Sequence, residues 1–146
     1  AVVQGCPKEP EGTVFTNIGR HPVNRLKMAV VNPGSGKPAI TDYKVLRHDP
    51  ATNSSLVMCA LHTGRTHQIR AHMASIGHAL LGDGKYGKGE VNKRYHETRQ
   101  ALYSYKLHFD FPTDAGMLNY LRGKTFTVED VPFREKYFGA AEQRNG

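Results

Sequence analysis

Residues 61–72 read LHTGRTHQIRAH, and this stretch decides how the rest of the chain is interpreted. It places two arginines, three histidines and a glutamine within twelve positions. Within and just beyond it, Ile69, Met73 and Ile76 follow the i, i+4, i+7 spacing of a helix with one apolar face. The sequence therefore predicts a helix over 66–76 whose apolar face packs on a core.

The ends of this helix and its central arginine can also be predicted. Thr66 is suited to the N-cap, and Gly77 is suited to the position that follows the last helical turn. On a helical wheel Arg70 lies beside the apolar stripe, so its guanidinium should be partly desolvated. A desolvated guanidinium needs a carboxylate or phosphate partner.

The stretch continues into residues 77–87, GHALLGDGKYG, and the two together resemble the hallmark of the RluA-type RNA pseudouridine synthases. In that family the pattern runs approximately G-R-T/S-H-Q-I/L-R-x-H and, after four residues, G-H-P-I-x-G-D-x-x-Y-G. The chain departs from it at Ala79, where proline is usual, and at Ala71, where valine is common. The resemblance covers most of residues 2–133 and includes HP at 21–22, RLKMAV at 25–30, KPAITDY at 37–43 and RQALYSYKLHF at 99–109.

Two motifs that the family uses for chemistry are not found in these residues. One is H-R-L-D, which carries the nucleophilic aspartate and lies upstream of the arginine-histidine segment. The other is K-x-Y-x-A-x-V-x-G, and residues 1–5, AVVQG, resemble its end, so its tyrosine would fall just before residue 1. We therefore expect residues 1–146 to be the C-terminal part of a synthase catalytic domain that lacks the upstream nucleophile-bearing part, with a loose tail at 138–146.

The resemblance implies a reaction, in which the N1–C1′ bond of a uridine in RNA is broken and the base is rejoined through C5. It implies no metal, nucleotide or organic cofactor. It assigns to Arg70 the role of holding the absent aspartate ionised and oriented, since a nearby opposite charge lowers a carboxylate pKa. The partners expected are RNA (rRNA or tRNA) and the missing N-terminal part, with no membrane, inside the cell. The expected RNA contacts are Arg65, His67, Gln68, Lys85, Lys88, Lys93, Arg25 and Lys27.

Composition agrees with a polyanionic partner. The chain has a formal net charge of +7 and a pI of about 9.5, which favours a polyanion, although many soluble domains are mildly basic for solubility alone. Between residues 65 and 99 seven lysines and arginines face three carboxylates. Cys6 and Cys59 are too few for a disulfide scaffold, and the eight histidines form no metal-binding helix pattern. No apolar run has membrane-spanning length.

The expected fold is α+β, with a mixed, mainly antiparallel sheet and one principal helix. Residues 26–31 should form a strand, and alternation from Thr41 to Val45 followed by the apolar run 56–61 predicts a hairpin. Tyrosine, leucine and phenylalanine alternate with polar residues across 103–111, which predicts a long strand with one aromatic core face. A further strand is expected at 125–128, a basic glycine-rich loop at 82–98, and a loose segment at 5–13.

Three other interpretations of the sequence are possible. Gly82-x-Gly84-x-x-Gly87 fits a dinucleotide fingerprint, but no buried strand precedes it and no apolar-faced helix is expected after it. Asp49 resembles an H-R-L-D aspartate only superficially, and its place before Pro50 favours a turn. A non-catalytic RNA-binding module remains an alternative to the enzyme, because it would share the basic groove. Nucleotide binding through residues 82–87 is the less favoured alternative.

Overall fold

The computed structural model describes residues 1–94 and 99–138. They fall into two compact units, which divide between Leu102 and Tyr103. The expected loose tail lies, apart from Phe138, outside the described residues. No helix in the described ranges is long and apolar enough to cross a membrane.

The first unit is a five-stranded antiparallel sheet with helices after it in the chain, in the spatial order β1-β5-β4-β2-β3. Its elements are β1 Val2–Gln4, β2 Glu11–Arg20, β3 Met28–Val31, β4 Lys37–Asp49, β5 Ser54–Leu61, α1 Gln68–Ser75 and α2 Gly89–Arg94. The α+β class and the mainly antiparallel sheet are as expected. The predicted hairpin is confirmed, since β4 and β5 pair from Thr41–Leu61 to Asp49–Ser54.

The core lies between one face of this sheet and α1. Val14, Thr16 and Ile18 alternate with exposed Thr13 and Phe15 along β2, as the pleat of a half-buried strand requires. Met73 of α1 is fully buried and packs with Val3, Val57 and Leu80. Truncation of such a side chain to alanine costs about 2–5 kcal/mol.

Helix α1 is the longest α-helix in the described part of the chain, but it differs from the prediction at its start and along its face. It begins at Gln68, and its N-cap is His67, with φ 55°, rather than Thr66. Ile76 is exposed, so the apolar stripe does not extend to it; the buried face instead includes Gln68, Arg70 and His72.

The end of α1 is as predicted. Gly77 has φ 86° and donates its N–H to the Ala74 carbonyl, while His78 donates to that of Met73. This pair of bonds is the Schellman motif, which favours glycine at this position because the left-handed conformation is strained for other residues. The chain then turns back, and residues 79–81 run beside β1 through bonds from Gln4 to Ala79 and from Leu81 to Val2.

Several other boundaries are corrected. The segment 5–13 is not wholly loose, because β2 begins at Glu11. The strand expected at 26–31 begins at Met28, so Arg25 and Lys27 lie in the loop before it. The expected loop 82–98 contains α2; its last four residues, 95–98, lie outside the described residues.

The second unit contains a small hairpin and two short helical segments. Its elements are β6 Lys106–His108, a 3₁₀ helix Gly116–Leu121, β7 Thr125–Thr127 and α3 Pro132–Phe138. The strand at 125–127 is close to the expected one. The long strand expected at 103–111 is wrong: only three residues pair with β7, and Tyr103 and Leu107 are about half exposed instead of forming a core face.

Candidate active site

The centre of the site is a two-bond ion pair between Arg70 on α1 and Asp83 in the turn after residues 79–81. Nε of Arg70 donates to Oδ2 of Asp83 at 2.8 Å, and Nη2 donates to Oδ1 at 2.9 Å. Asp83 is fully buried, and the Arg70 side chain is 10% exposed. A forked contact fixes the plane of the guanidinium, so Arg70 has one defined orientation.

The Asp83 carboxylate is satisfied beyond this pair. Oδ1 also accepts the backbone N–H groups of Lys85 and Tyr86, at 2.9 and 3.0 Å. Burial by itself raises the pKa of Asp83, but the hydrogen bonds from Arg70, Tyr86 and Lys85 outweigh it and leave the pKa below its usual value. The hydrogen bond to Asp83 raises the pKa of Arg70. Both groups are therefore charged at neutral pH.

Asn92 of α2 closes the turn that holds Asp83. Its Oδ1 accepts the Gly82 N–H at 2.8 Å, and its Nδ2 donates to the Asp83 carbonyl at 3.0 Å. Gly87 completes the turn, since a Cβ there would lie 2.5 Å from the same carbonyl oxygen. The glycines of 82–87 thus shape a turn around a carboxylate. Asn92 was not predicted, because no sequence pattern ties it to Gly82.

Tyr86 connects this turn to the opposite edge of the sheet. Its hydroxyl accepts the Met28 N–H at 2.8 Å and lies 3.0 Å from Nδ1 of His67. Its ring centroid lies 5.1 Å from Cζ of Arg70 and 5.3 Å from Nζ of Lys27. Both cations are placed to interact with the ring quadrupole.

His67 is held beside Tyr86 as a neutral imidazole. Its Nδ1 shares a 3.0 Å hydrogen bond with the Tyr86 hydroxyl, which also accepts the Met28 N–H. Burial, followed by the charges of Arg70 and Lys85, lowers the pKa of His67. His67 is therefore a neutral hydrogen-bonding group rather than a cation.

Two further polar residues of α1 are buried and bonded within the protein. The Gln68 amide donates to the Ile40 carbonyl and to Thr41 Oγ1, and its oxygen accepts from Thr63 Oγ1 and the Arg65 N–H. These bonds occupy both ends of the amide, so Gln68 has no group left for RNA. Its position fixes the loop before α1 against β4.

His72 is the second of these residues and is fully buried. Its Nε2 lies 2.8 Å from Thr16 Oγ1, and its Nδ1 lies 2.8 Å from Thr41 Oγ1. Burial lowers the pKa of His72. It therefore joins α1 to β2 and β4 as a neutral imidazole.

The other expected RNA contacts separate into two groups. Lys27 lies over the ring of Tyr86, Nζ of Lys85 lies 3.3 Å from the Leu26 carbonyl, and Arg25 belongs to the same loop before β3. Lys88 and Lys93 are exposed around α2, and Lys88 lines a different pocket of about 320 Å³ with Gln4, Asn53 and His78. Nε of Arg65 donates to the Pro38 carbonyl.

Arg20 is a basic residue near the site that the sequence analysis did not single out. Its charge contributes to the lowered pKa of His67, and its Nη1 donates to the Arg25 carbonyl. We call Arg20, Arg25, Lys27 and Lys85 the Tyr86 basic cluster. In the described part of the chain, none of these four side chains is seen in a salt bridge with a carboxylate, and the nearby Asp83 is paired with Arg70.

Asp49, by contrast, is a turn residue as expected. Its carboxylate accepts the Ala51 N–H and the Thr52 hydroxyl at the tip of the β4–β5 hairpin. These bonds lower its pKa. The geometry does not bring it to Arg70, whose carboxylate partner is Asp83.

Comparisons with known proteins identify the relatives of this arrangement. The family model described as RNA pseudouridylate synthase matches residues 1–75. The ribosomal large subunit pseudouridine synthase D of Zymomonas mobilis is 42% identical over 127 residues, which are 82% of this chain and 38% of the relative. That of Neisseria meningitidis serogroup A is 48% identical over 70% of this chain and 29% of its own length.

A solved structure supports the same relationship. Human RNA pseudouridylate synthase domain containing 1 superposes with a TM-score of 0.74 at 28% identity, over 93% of this chain and 54% of that one. The chain spans about a third of the length of the curated relatives it matches. The family match over more than half of the residues and the agreement of the fold lead to one conclusion: the chain belongs to the RluA family of RNA pseudouridylate synthases.

Proposed function

We propose that this chain forms the arginine side of an active site that converts uridine in RNA to pseudouridine. The observation that carries the proposal is the buried guanidinium of Arg70, held in one orientation by Asp83. The names of the relatives suggest large-subunit ribosomal RNA as the substrate class.

The guanidinium has a second edge available for another carboxylate. Asp83 uses Nε and one hydrogen of Nη2, which leaves both hydrogens of Nη1 and the other hydrogen of Nη2. Among residues 1–94 and 99–138, none is seen to accept from Nη1. An arginine can bind one carboxylate on each edge, so Asp83 would position Arg70 while the free edge binds the nucleophile.

The nucleophile in this proposal is an aspartate from a segment that precedes residue 1 in the complete protein. Contact with Arg70 would lower its pKa and keep it ionised. In the reaction the N1–C1′ bond breaks, the base rotates, and a C5–C1′ bond forms. The C5 hydrogen leaves to solvent as a proton while N1 gains one, so the product is an isomer of the substrate.

The Tyr86 basic cluster supplies the RNA-binding surface beside Arg70. Its four cations would contact phosphates on either side of the target uridine, which must leave its base stack to be reached. The neutral imidazole of His67 offers a hydrogen-bonding group in the same place. Lys88, Lys93 and Arg65 would make only peripheral contacts.

The test uses the full-length protein and large-subunit rRNA transcribed with 5-tritiated uridine, in which pseudouridine formation releases tritium. Arg70→Ala should reduce kcat by about a hundredfold or more, the scale for loss of a preorganised charged group. Arg70→Lys should restore it only in part, because lysine cannot make a forked contact. Arg122→Ala, an exposed arginine of the second unit, is the matched control.

Two further measurements decide between enzyme and binding module. Arg70→Ala leaves the buried carboxylate of Asp83 without its partner, so this variant should be less stable than the wild type. Circular dichroism and RNA affinity under the assay conditions give its folded fraction, and kcat compared per folded protein separates loss of catalysis from loss of fold. A wild-type protein that binds the RNA but releases no tritium would establish the non-catalytic alternative. Near-normal kcat in a folded Arg70→Ala variant would show that the assignment of Arg70 is wrong.

A further inference from the structure

Loop 21–27, which connects β2 to β3, carries the two most exposed large apolar side chains described in the first unit. Val23 is 86% exposed and Leu26 is 76% exposed. Isolated exposed apolar residues are common on protein surfaces and need no function. Here, however, the backbone that presents them is fixed by several hydrogen bonds.

The bonds within the loop leave its backbone little freedom. The His21 N–H donates to the Lys27 carbonyl at 2.9 Å and closes the loop. Nδ1 of His21 accepts the N–H groups of Val23 and Asn24, and Oδ1 of Asn24 accepts that of Leu26. The loop is therefore preorganised, although its apolar side chains bury little surface.

Contacts from outside the loop place it beside Arg70. Nη1 of Arg20 donates to the Arg25 carbonyl at 3.1 Å, and Nζ of Lys85 donates to the Leu26 carbonyl at 3.3 Å. The next residue, Met28, donates its N–H to Tyr86, whose ring lies against Arg70. The loop thus lies next to the place where a target uridine would be held.

The charge around the loop indicates a partner. Residues 21–27 read HPVNRLK and contain no carboxylate, and their surroundings are the Tyr86 basic cluster. An apolar tip flanked by cations complements a polyanion with a hydrophobic interior, which is the description of a nucleic acid and its stacked bases. A protein partner fits this surface less well, because lysine is depleted at protein–protein interfaces.

We propose that loop 21–27 enters the RNA as a wedge, with Leu26 inserted into the base stack beside the target uridine. This inference rests on the proposed function and adds a positioning residue to it. Apolar side chains used in this way separate neighbouring bases and occupy the gap that an extruded base leaves. The cations beside Leu26 would hold the flanking phosphates while it is inserted.

The test compares two RNAs made after the modified uridine has been mapped in the rRNA transcript. In one the uridine lies within a paired stem, and in the other the same strand is unpaired. With the stem, Leu26→Ala in the full-length protein should slow tritium release by about tenfold, equivalent to about 1.4 kcal/mol. With the unpaired strand the loss should shrink to about twofold or less, because the stack needs little opening.

Matched variants and a fluorescent probe complete the design. Leu26→Met should retain activity on the stem, since it keeps an apolar wedge, whereas Leu46→Ala, at an exposed position of β4, should behave as wild type. 2-Aminopurine placed beside the uridine should brighten on binding of wild type and less with Leu26→Ala.

The outcomes are distinguishable. Equal rates for Leu26→Ala and Leu46→Ala on the stem, with an unchanged 2-aminopurine signal, would overturn the wedge and leave the proposed function intact. The same loss on both RNAs would also overturn it, since Leu26 would then act elsewhere than in the stack. Absence of tritium release by the wild-type protein would overturn the proposed function and, with it, this inference.

Discussion

The hydroxyl of Tyr86 accepts a 2.8 Å hydrogen bond from the backbone N–H of Met28, 58 residues earlier in the chain. This bond fixes the start of an edge strand, β3, to the turn that carries Asp83. The same hydroxyl orients His67. The Tyr86 oxygen thus sets the relative positions of loop 21–27, helix α1 and the turn that carries Asp83.

Tyr86→Phe should therefore destabilise the full-length protein by about 1–3 kcal/mol, since the Met28 N–H loses its partner. Urea unfolding would measure this loss, and amide exchange at Met28 should become faster. Tyr120→Phe, at an exposed tyrosine, is the control and should leave both unchanged. A Tyr86→Phe protein as stable as the control would show that water replaces the phenol.

Asp83→Asn should be more harmful than its conservative appearance suggests. It leaves the buried charge of Arg70 without its partner, and breaking a buried pair in this way costs about 3–5 kcal/mol. Asp49→Asn changes a partly exposed turn carboxylate that has no charged partner of this kind among the described residues and should cost far less. Thermal or urea unfolding of the two variants would compare their stabilities directly. Equal losses of stability would contradict the importance of the two-bond ion pair between Arg70 and Asp83.

The same pair predicts an acid transition. Because the pKa of Asp83 is lowered in the folded protein, its contribution to stability is complete above its ordinary value of about 3.9 and is lost as pH falls below that value. The Asp83→Asn variant should therefore show a weaker loss of stability in this range than the wild type. If stability falls equally with pH in the wild type and in Asp83→Asn, then Asp83 does not contribute to the acid transition.

His72 should give a pH dependence nearer neutrality. Its pKa is lowered by burial, so below about 6.5 the unfolded chain binds a proton that the folded chain does not, and stability falls as pH falls. In His72→Gln the difference in unfolding free energy between about pH 7.5 and pH 5.5 should be smaller. His108→Gln, at an exposed histidine, should keep the wild-type difference.

The salt dependence of RNA binding should locate the footprint. Each phosphate contact on a single strand contributes roughly 0.7 to the log–log slope, so replacing Arg25 and Lys85 with alanine should flatten it by about 1.4. Replacing Lys88 and Lys93 should change the slope less, because they lie around α2 rather than around Tyr86. A larger change in slope on replacing Lys88 and Lys93 would indicate that RNA binds around α2 instead.

The 146-residue chain by itself should release no tritium from labelled RNA, since Asp83 is committed to Arg70 and Asp49 to its turn. Addition of the upstream segment in the complete protein should produce activity. Tritium release above a blank by the isolated chain would place the nucleophile among its own carboxylates, and Asp83→Asn and Asp49→Asn would then identify it.

Sequence patterns predicted well where one face of an element is apolar. The β4–β5 hairpin and the glycine end of α1 follow from alternation and from the left-handed turn. The start of α1 does not follow from any such pattern. Its position depends on Gln68, whose amide bonds to β4 and to the preceding loop. Long-range hydrogen bonds of buried polar residues leave no periodic signal in the chain.

The wrong strand at 103–111 and the unidentified partner of Arg70 have a similar origin. The aromatic alternation across 103–111 has the period of a strand, but only 106–108 find a partner strand, and period alone does not supply one. In the site, the place of Arg70 beside an apolar stripe predicts that it needs a carboxylate or phosphate partner, but it does not identify Asp83 as that partner. That pairing depends on the path from α1 past β1, which no local pattern encodes.

That path makes the connection between Arg70 and Asp83 a spacer of fixed length. The last turn of α1 ends at a glycine whose conformation admits few substitutes, and the following residues are tied to β1 by backbone bonds on both sides of Leu80. Adding or removing one residue there would shift the carboxylate along the strand and turn it away from the guanidinium. Changes in chain length would therefore be rejected between residues 77 and 83, where the backbone itself fixes the distance between two charges.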